Sequence, residues 1–251
     1  MALRTAIAAA IEPFNCAMIG GDVSVQRQVT VNGFASRDVE PRLRAAVQQA
    51  ADGAPVQWNV DTFSGPYCQA LDSVRSIGPR FGEPANGVVV GLKGGAAPLH
   101  DTGSIVPKVT VPGYASYLQV DYFAGDGSMV HLHPSTEERH IDIQTQDRKV
   151  QSLRSTLAEA ERSFPARSTI TMGDPLTCHC KPEEVGWTVG PPFGTDMILA
   201  IASSAPLFVP SRGSTDTVDT YVRALQAAIA NAASKGVKMS ASVVRVDTGP
   251  R

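Results

Sequence analysis

The stretch that most limits how this chain can fold runs from residue 78 to residue 87. Gly78, Pro79, Phe81, Gly82, Pro84 and Gly87 fall there among polar residues, and neither a helical nor a strand period survives it. Such a break marks an exposed boundary between separately cored pieces. It divides the 251 residues into an expected first domain at 1–80, a linker at 81–87 and a second domain at 88–251. The texture differs on the two sides.

In the first domain Leu3, Ile7 and Ile11 lie on one stripe of a short helix at about 2–11. A β-ribbon follows around Val23, Val25, Val29, Val31 and Phe34. A helix at about 37–51 has Asp38 as its expected cap and Leu43, Ala46, Val47 and Ala50 as its inner face. Val56 to Val60 reads as a third strand, and a last helix beginning at Pro66 carries Tyr67, Leu71 and Val74. The order is αββαβα, which resembles the BON-type small domain in arrangement.

Beyond residue 88 short strands alternate with turns. They are expected at 88–92, 105–111, 117–123, 129–133 and 169–172, and Gly127 lies in the turn chemistry of a hairpin. The run from Met197 to Ser203 is almost wholly apolar, as a strand in the centre of a sheet must be. The charged section 137–161 reads as a surface insertion with a helical part near 148–162. An amphipathic helix at 217–233 with Val218, Tyr221, Val222, Leu225 and Ile229 inward precedes a strand at 240–246. The fold class is α+β: a small αββαβα domain, then a mainly antiparallel β-sandwich with a C-terminal helix.

Three segments of the second domain carry a family likeness. The first holds Tyr117, Leu118, Val120, Asp121 and Tyr122, and the second holds Asp126, Gly127, Val130, His131 and Leu132. The third holds Pro191, Pro192, Phe193 and Gly194, followed by Ala202, Ser203, Pro206, Leu207 and Phe208. In this order they resemble the DUF4384 family over about residues 88–248. That resemblance implies an accessory domain attached to bacterial serine/threonine kinase-like or caspase-like proteins. It assigns no catalytic residue, so Tyr117, Asp121, Tyr122, Gly127, Pro191, Pro192, Phe193 and Gly194 are expected to be structural.

Other chemistry is weighed residue by residue. A net charge of −2 with scattered basic residues offers nucleic acid no footprint, and no apolar run is long enough to cross a bilayer. No kinase signature is present, and Cys178 and Cys180 lack the setting of a protease nucleophile. His131 and His133, one residue apart on an expected strand, would share a face and could ligate zinc with His140 or an acid. Cys178, His179 and Cys180 hold three donors too close together for tetrahedral corners, so Cys178 and Cys180, like the two histidines, are weak metal candidates. Cys16 and Cys68 could form a disulfide in an oxidising compartment or remain buried thiols.

These features point to a non-catalytic accessory or sensory binding region with no cofactor. Its partner would be a protein, peptide or envelope component. Extracytoplasmic (periplasmic) placement within a larger bacterial signalling or secretion-associated protein is expected from the family's company and the isolated cysteines. The rival readings are a metal-dependent hydrolase using His131 and His133, and a structural spacer.

Overall fold

A computed structural model describes residues 2–95, 97–135, 139–147, 150–155, 162–177, 185–208 and 215–251. Contacts divide the chain into two compact units, Met1–Ala85 and Asn86–Arg251.

The first unit runs α1 (Ala2–Ile11), β1 (Ala17–Val23), β2 (Val29–Ser36), α2 (Glu40–Ala50), β3 (Val56–Phe63) and α3 (Cys68–Val74), then a 3-10 turn at Arg75–Ile77. β1 and β2 form an antiparallel hairpin, and β2 pairs in parallel with β3, so α2 is the crossover a parallel pair requires. Ile7, Leu43 and Val47 from the helices pack with Ala17, Ile19, Val29, Val31 and Ala35 of the sheet. Asp38 is not the cap of α2. Val39 holds that position with no side-chain hydrogen bond, and proline in the first turn sets the helix start instead. Phe81, expected in the linker, belongs to this core, bridging to Gly21 at the edge of β1. At Gly33, φ is +155° and an added Cβ would lie 2.2 Å from the Met18 carbonyl oxygen, so only glycine allows the hairpin to close there.

The second unit is a sandwich. One sheet has the order β11-β10-β12-β7-β4, from β4 (Val89–Leu92), β7 (Pro107–Thr110), β10 (Arg139–Gln144), β11 (Val150–Ser155) and β12 (Thr169–Met172). The other is β15-β9-β8-β14-β16-β5, from β5 (Leu99–His100), β8 (Tyr117–Phe123), β9 (Ser128–His133), β14 (Thr195–Ser203), β15 (Thr215–Thr217) and β16 (Met239–Gly249). A two-stranded pair joins β6 (Ser104–Ile105) to β13 (Trp187–Thr188). Among the described residues of this unit the strands pair antiparallel, except β16 with β5. Val90, Val109, Ile141, Ile143 and Ile170 of the first sheet share a core with Val120, Leu132, Ile198, Ala200 and Val246 of the second. The outer face of the six-stranded sheet lies under α4 (Val218–Ser234), whose Tyr221, Val222, Leu225 and Ile229 are buried. Thr217 caps that helix by accepting from the Thr220 N–H. β14 therefore has a covered neighbour on both faces, the physical reason for its apolar run.

The expected charged insertion is corrected here. β10 sits between β11 and β12 in the sheet, with Ile141 and Ile143 buried, and residues 150–155, read as helical, are a strand. Residues 137–138, 148–149 and 156–161, from the same expected insertion and helix, lie outside the described residues. Among the described residues no helix is long and apolar enough to cross a membrane.

Candidate functional site

The hairpin β8–β9 carries the histidines on which a metal reading depends. A bulge lies between Val120 and Asp121, so that Asp121 faces His131 while Val120 faces His133. The extra residue breaks the two-residue period of side-chain direction. His131 therefore meets the Tyr221 ring of α4 at 5.1 Å, whereas His133 meets Phe164, a residue of the sandwich core, at 5.4 Å. The expectation that both imidazoles share a face is overturned by this one insertion. Among the described residues no group of three or more potential ligands could hold a metal ion. Cys178 and Cys180, with His179 between them, lie outside the described residues.

Around His131 the buried groups form a closed polar network. Its Nδ1–H donates to Asp121 Oδ1 at 2.5 Å, which a carboxylate acceptor requires. Gln119 Nε2 donates to the same oxygen at 2.7 Å, and the Tyr221 hydroxyl donates to Asp121 Oδ2. Asp121, His131 and Tyr221 are each 0% exposed, and His131 Nε2 is buried without a hydrogen-bond partner. An Asp–His pair is the core of a proton-transfer device, but here α4 seals it from solvent. On the other side of β8, the Tyr122 hydroxyl donates to Asp196 Oδ2 at 2.5 Å and the Gly125 N–H donates to Asp196 Oδ1 at 2.8 Å. Burial alone pushes His133 down to about 4, so it stays neutral at ordinary pH.

The remaining motif residues have plainer surroundings. Gly127, with φ +87°, donates its N–H to the Ala124 carbonyl and closes the hairpin turn. Phe193 is half-buried against the sandwich core. Gly194 donates its N–H to Thr248 Oγ1 at 2.9 Å and has open space where a Cβ would stand, so the bend there does not demand glycine.

A second polar cluster joins residues that no local motif connects. Asp142 of β10 accepts from His140 Nε2 at 2.9 Å and from the hydroxyls of Ser152 and Thr177, both at 2.6 Å. Asp174 accepts from Lys93 and from the Leu176 N–H at 3.0 Å, and lies 3.2 Å from the Thr177 hydroxyl, whose one proton is shared with the nearer Asp142. Burial pushes both carboxyls up, but these donors outweigh it and hold both below the usual carboxylate range. Each carboxylate already has its counter-charge or donors, an arrangement that ties loops to the sheet.

An accessible concavity lies in the first unit. A cleft of about 830 Å³ opens along α1, between Ala8, Ala9 and Glu12 on one side and Asp72, Arg75 and Ser76 on the other. Phe14, Met18, Ile19, Pro79 and Phe81 supply its apolar lining. That size falls in the range of ligand sites, and the lining mixes these apolar side chains with charged ones, Glu12, Asp72, Arg75, Arg80 and Glu83. Arg75 donates to the Glu12 carbonyl oxygen and, at 3.1 Å, to Asn15 Oδ1, which ties α1 to the 3-10 turn across the cleft. A disulfide joins Cys16 to Cys68, and the Cys16 N–H donates to Asp72 Oδ1 at 2.7 Å. The disulfide thereby links the start of β1 to the first residue of α3. Sequence reading missed this cleft because its walls are contributed by segments some sixty residues apart.

No protein-family model matches the chain, and no curated protein matches it.

Proposed function

We propose that this chain is a non-catalytic binding region that captures an apolar segment of a protein or peptide in the cleft of its first unit. The observation that carries this reading is the cleft itself, ligand-sized, with apolar side chains such as Phe14 and Pro79 set among the charged Glu12, Arg80 and Glu83 that would orient a bound chain. The hydrolase reading has no comparable support, since His131 and Asp121 lie beneath α4 and His133 points elsewhere. The second unit, with its DUF4384-like motifs, serves as scaffold within a larger bacterial signalling or secretion-associated protein. The Cys16–Cys68 disulfide supports an extracytoplasmic setting, because such bonds persist in oxidising compartments.

The test is selection of a displayed peptide library on the full chain. Ala9, exposed on α1 and lining the cleft, is replaced by tryptophan to fill the space while leaving the helix core intact. Apolar peptides are expected to be enriched and to bind Ala9→Trp at least roughly tenfold more weakly, about 1.4 kcal/mol. Failure to enrich apolar peptides, or equal binding by the variant, overturns the proposal and leaves the spacer reading.

A further inference from the structure

β3 is an outer strand of the three-stranded sheet, and among the described residues no strand pairs with its far side. The carbonyls of Pro55 and Phe63 both point toward β2, where they accept from Val29 and Arg37. Backbone direction alternates along a strand, so Val56, Trp58 and Val60 turn their N–H and C=O groups outward. This edge is lightly defended: within Val56–Phe63 there is no proline, lysine or bulge, and Asp61 is its one charged side chain. Its side chains alternate cleanly. Gln57, Asn59 and Asp61 are exposed on one face, while Val56, Trp58 and Val60 are half-buried on the helix face.

We propose that β3 is a homodimerisation edge on which a second copy of this chain pairs antiparallel, with the two-fold axis at Asn59. The pattern of β3 is complementary to itself in that register. Trp58 of one copy faces Val60 of the other, and both present outward backbone groups, so each such pair exchanges N–H and C=O in both directions. On the solvent face Gln57 lies opposite Asp61 of the other copy, an amide donor against a carboxylate. Moving the axis to Asp61 would set the two carboxylates against each other, which disfavours that register. The result is a continuous six-stranded sheet with its helices kept on one face.

Gln57 is exposed, so its substitution leaves the fold alone. Sedimentation equilibrium of the full chain is expected to show a concentration-dependent dimer. Gln57→Asp opposes like charges in both symmetric pairs and is expected to weaken the dimer roughly three- to tenfold, while Gln57→Lys tightens it by a similar factor. Hydrogen exchange at high concentration should protect the amides of Trp58 and Val60. A chain that stays monomeric at high micromolar concentration overturns the proposal. So does a dimer whose constant ignores both Gln57 variants, or one that leaves those amides unprotected.

Discussion

Replacing Asp121 by alanine is expected to destabilise the second unit by about 4 kcal/mol. The magnitude follows from what the carboxylate does: it accepts from His131 Nδ1, from Gln119 Nε2 and from the Tyr221 hydroxyl, all inside the protein. Each buried donor left without an acceptor costs about 1–3 kcal/mol. Gln119 lies at the low end, because it is 7% exposed and can turn toward water. A unit of this size loses roughly 2–4 °C per kcal/mol, so the midpoint should fall by about 8–16 °C. Urea unfolding followed at Trp187 isolates this unit, since the chain's other tryptophan, Trp58, lies in the first unit and can be replaced by phenylalanine. Tyr221→Phe alone should cost about 2 kcal/mol, and the double variant should cost at least about 1 kcal/mol less than the sum of the singles. An Asp121→Ala protein within 1 kcal/mol of the parent, or strict additivity with Tyr221→Phe, would refute the account of a coupled network.

Acid should act through His133, whose ionisation burial lowers to about 4 in the folded chain. Unfolded, the imidazole takes a proton near 6.5, so stability is fully present above that pH and is lost as pH falls from 6.5 toward 4, by about 2 kcal/mol at pH 5. His133→Leu should flatten that part of the profile in parallel urea titrations, and an unchanged slope would show that another group is responsible. Reducing the Cys16–Cys68 disulfide, which spans a separation of 52 residues, should cost the first unit about 4 kcal/mol in the chain-entropy model. Alkylation mapped by mass spectrometry should find both cysteines unlabelled until reductant is added, and labelling beforehand would count against the bond and against an oxidising location.

Periodicity made much of the fold legible. The stripe through Ile7, the inner face of α2 and the apolar run of β14 each express one burial pattern, and each forms the expected element. β10 went unread although His140, Ile141, Asp142, Ile143 and Gln144 alternate strictly, because its polar face is charged enough to pass for a surface loop. Parity failed at His131 and His133 for a different reason. A bulge is a property of the pairing between β9 and β8, and nothing within β9 alone announces it. The polar clusters at Asp121 and Asp142 draw on side chains from separate elements, which local spacing cannot reveal. Cys16 and Cys68 were readable as partners only as one of two alternatives.

The position of β16 sets an order on biosynthesis. Residues 239–249 fill the slot between β14 and β5, and Ser240 Oγ accepts from the Val88 N–H across a separation of 152 residues. Until that strand leaves the ribosome, β14 is held only by β8 and its other edge stays bare. The first unit, made entirely of early residues, is free to fold in the meantime. A stalled or truncated chain would therefore combine a finished first unit with a sticky, unfinished second one, the kind of product that holding chaperones and proteases exist to intercept.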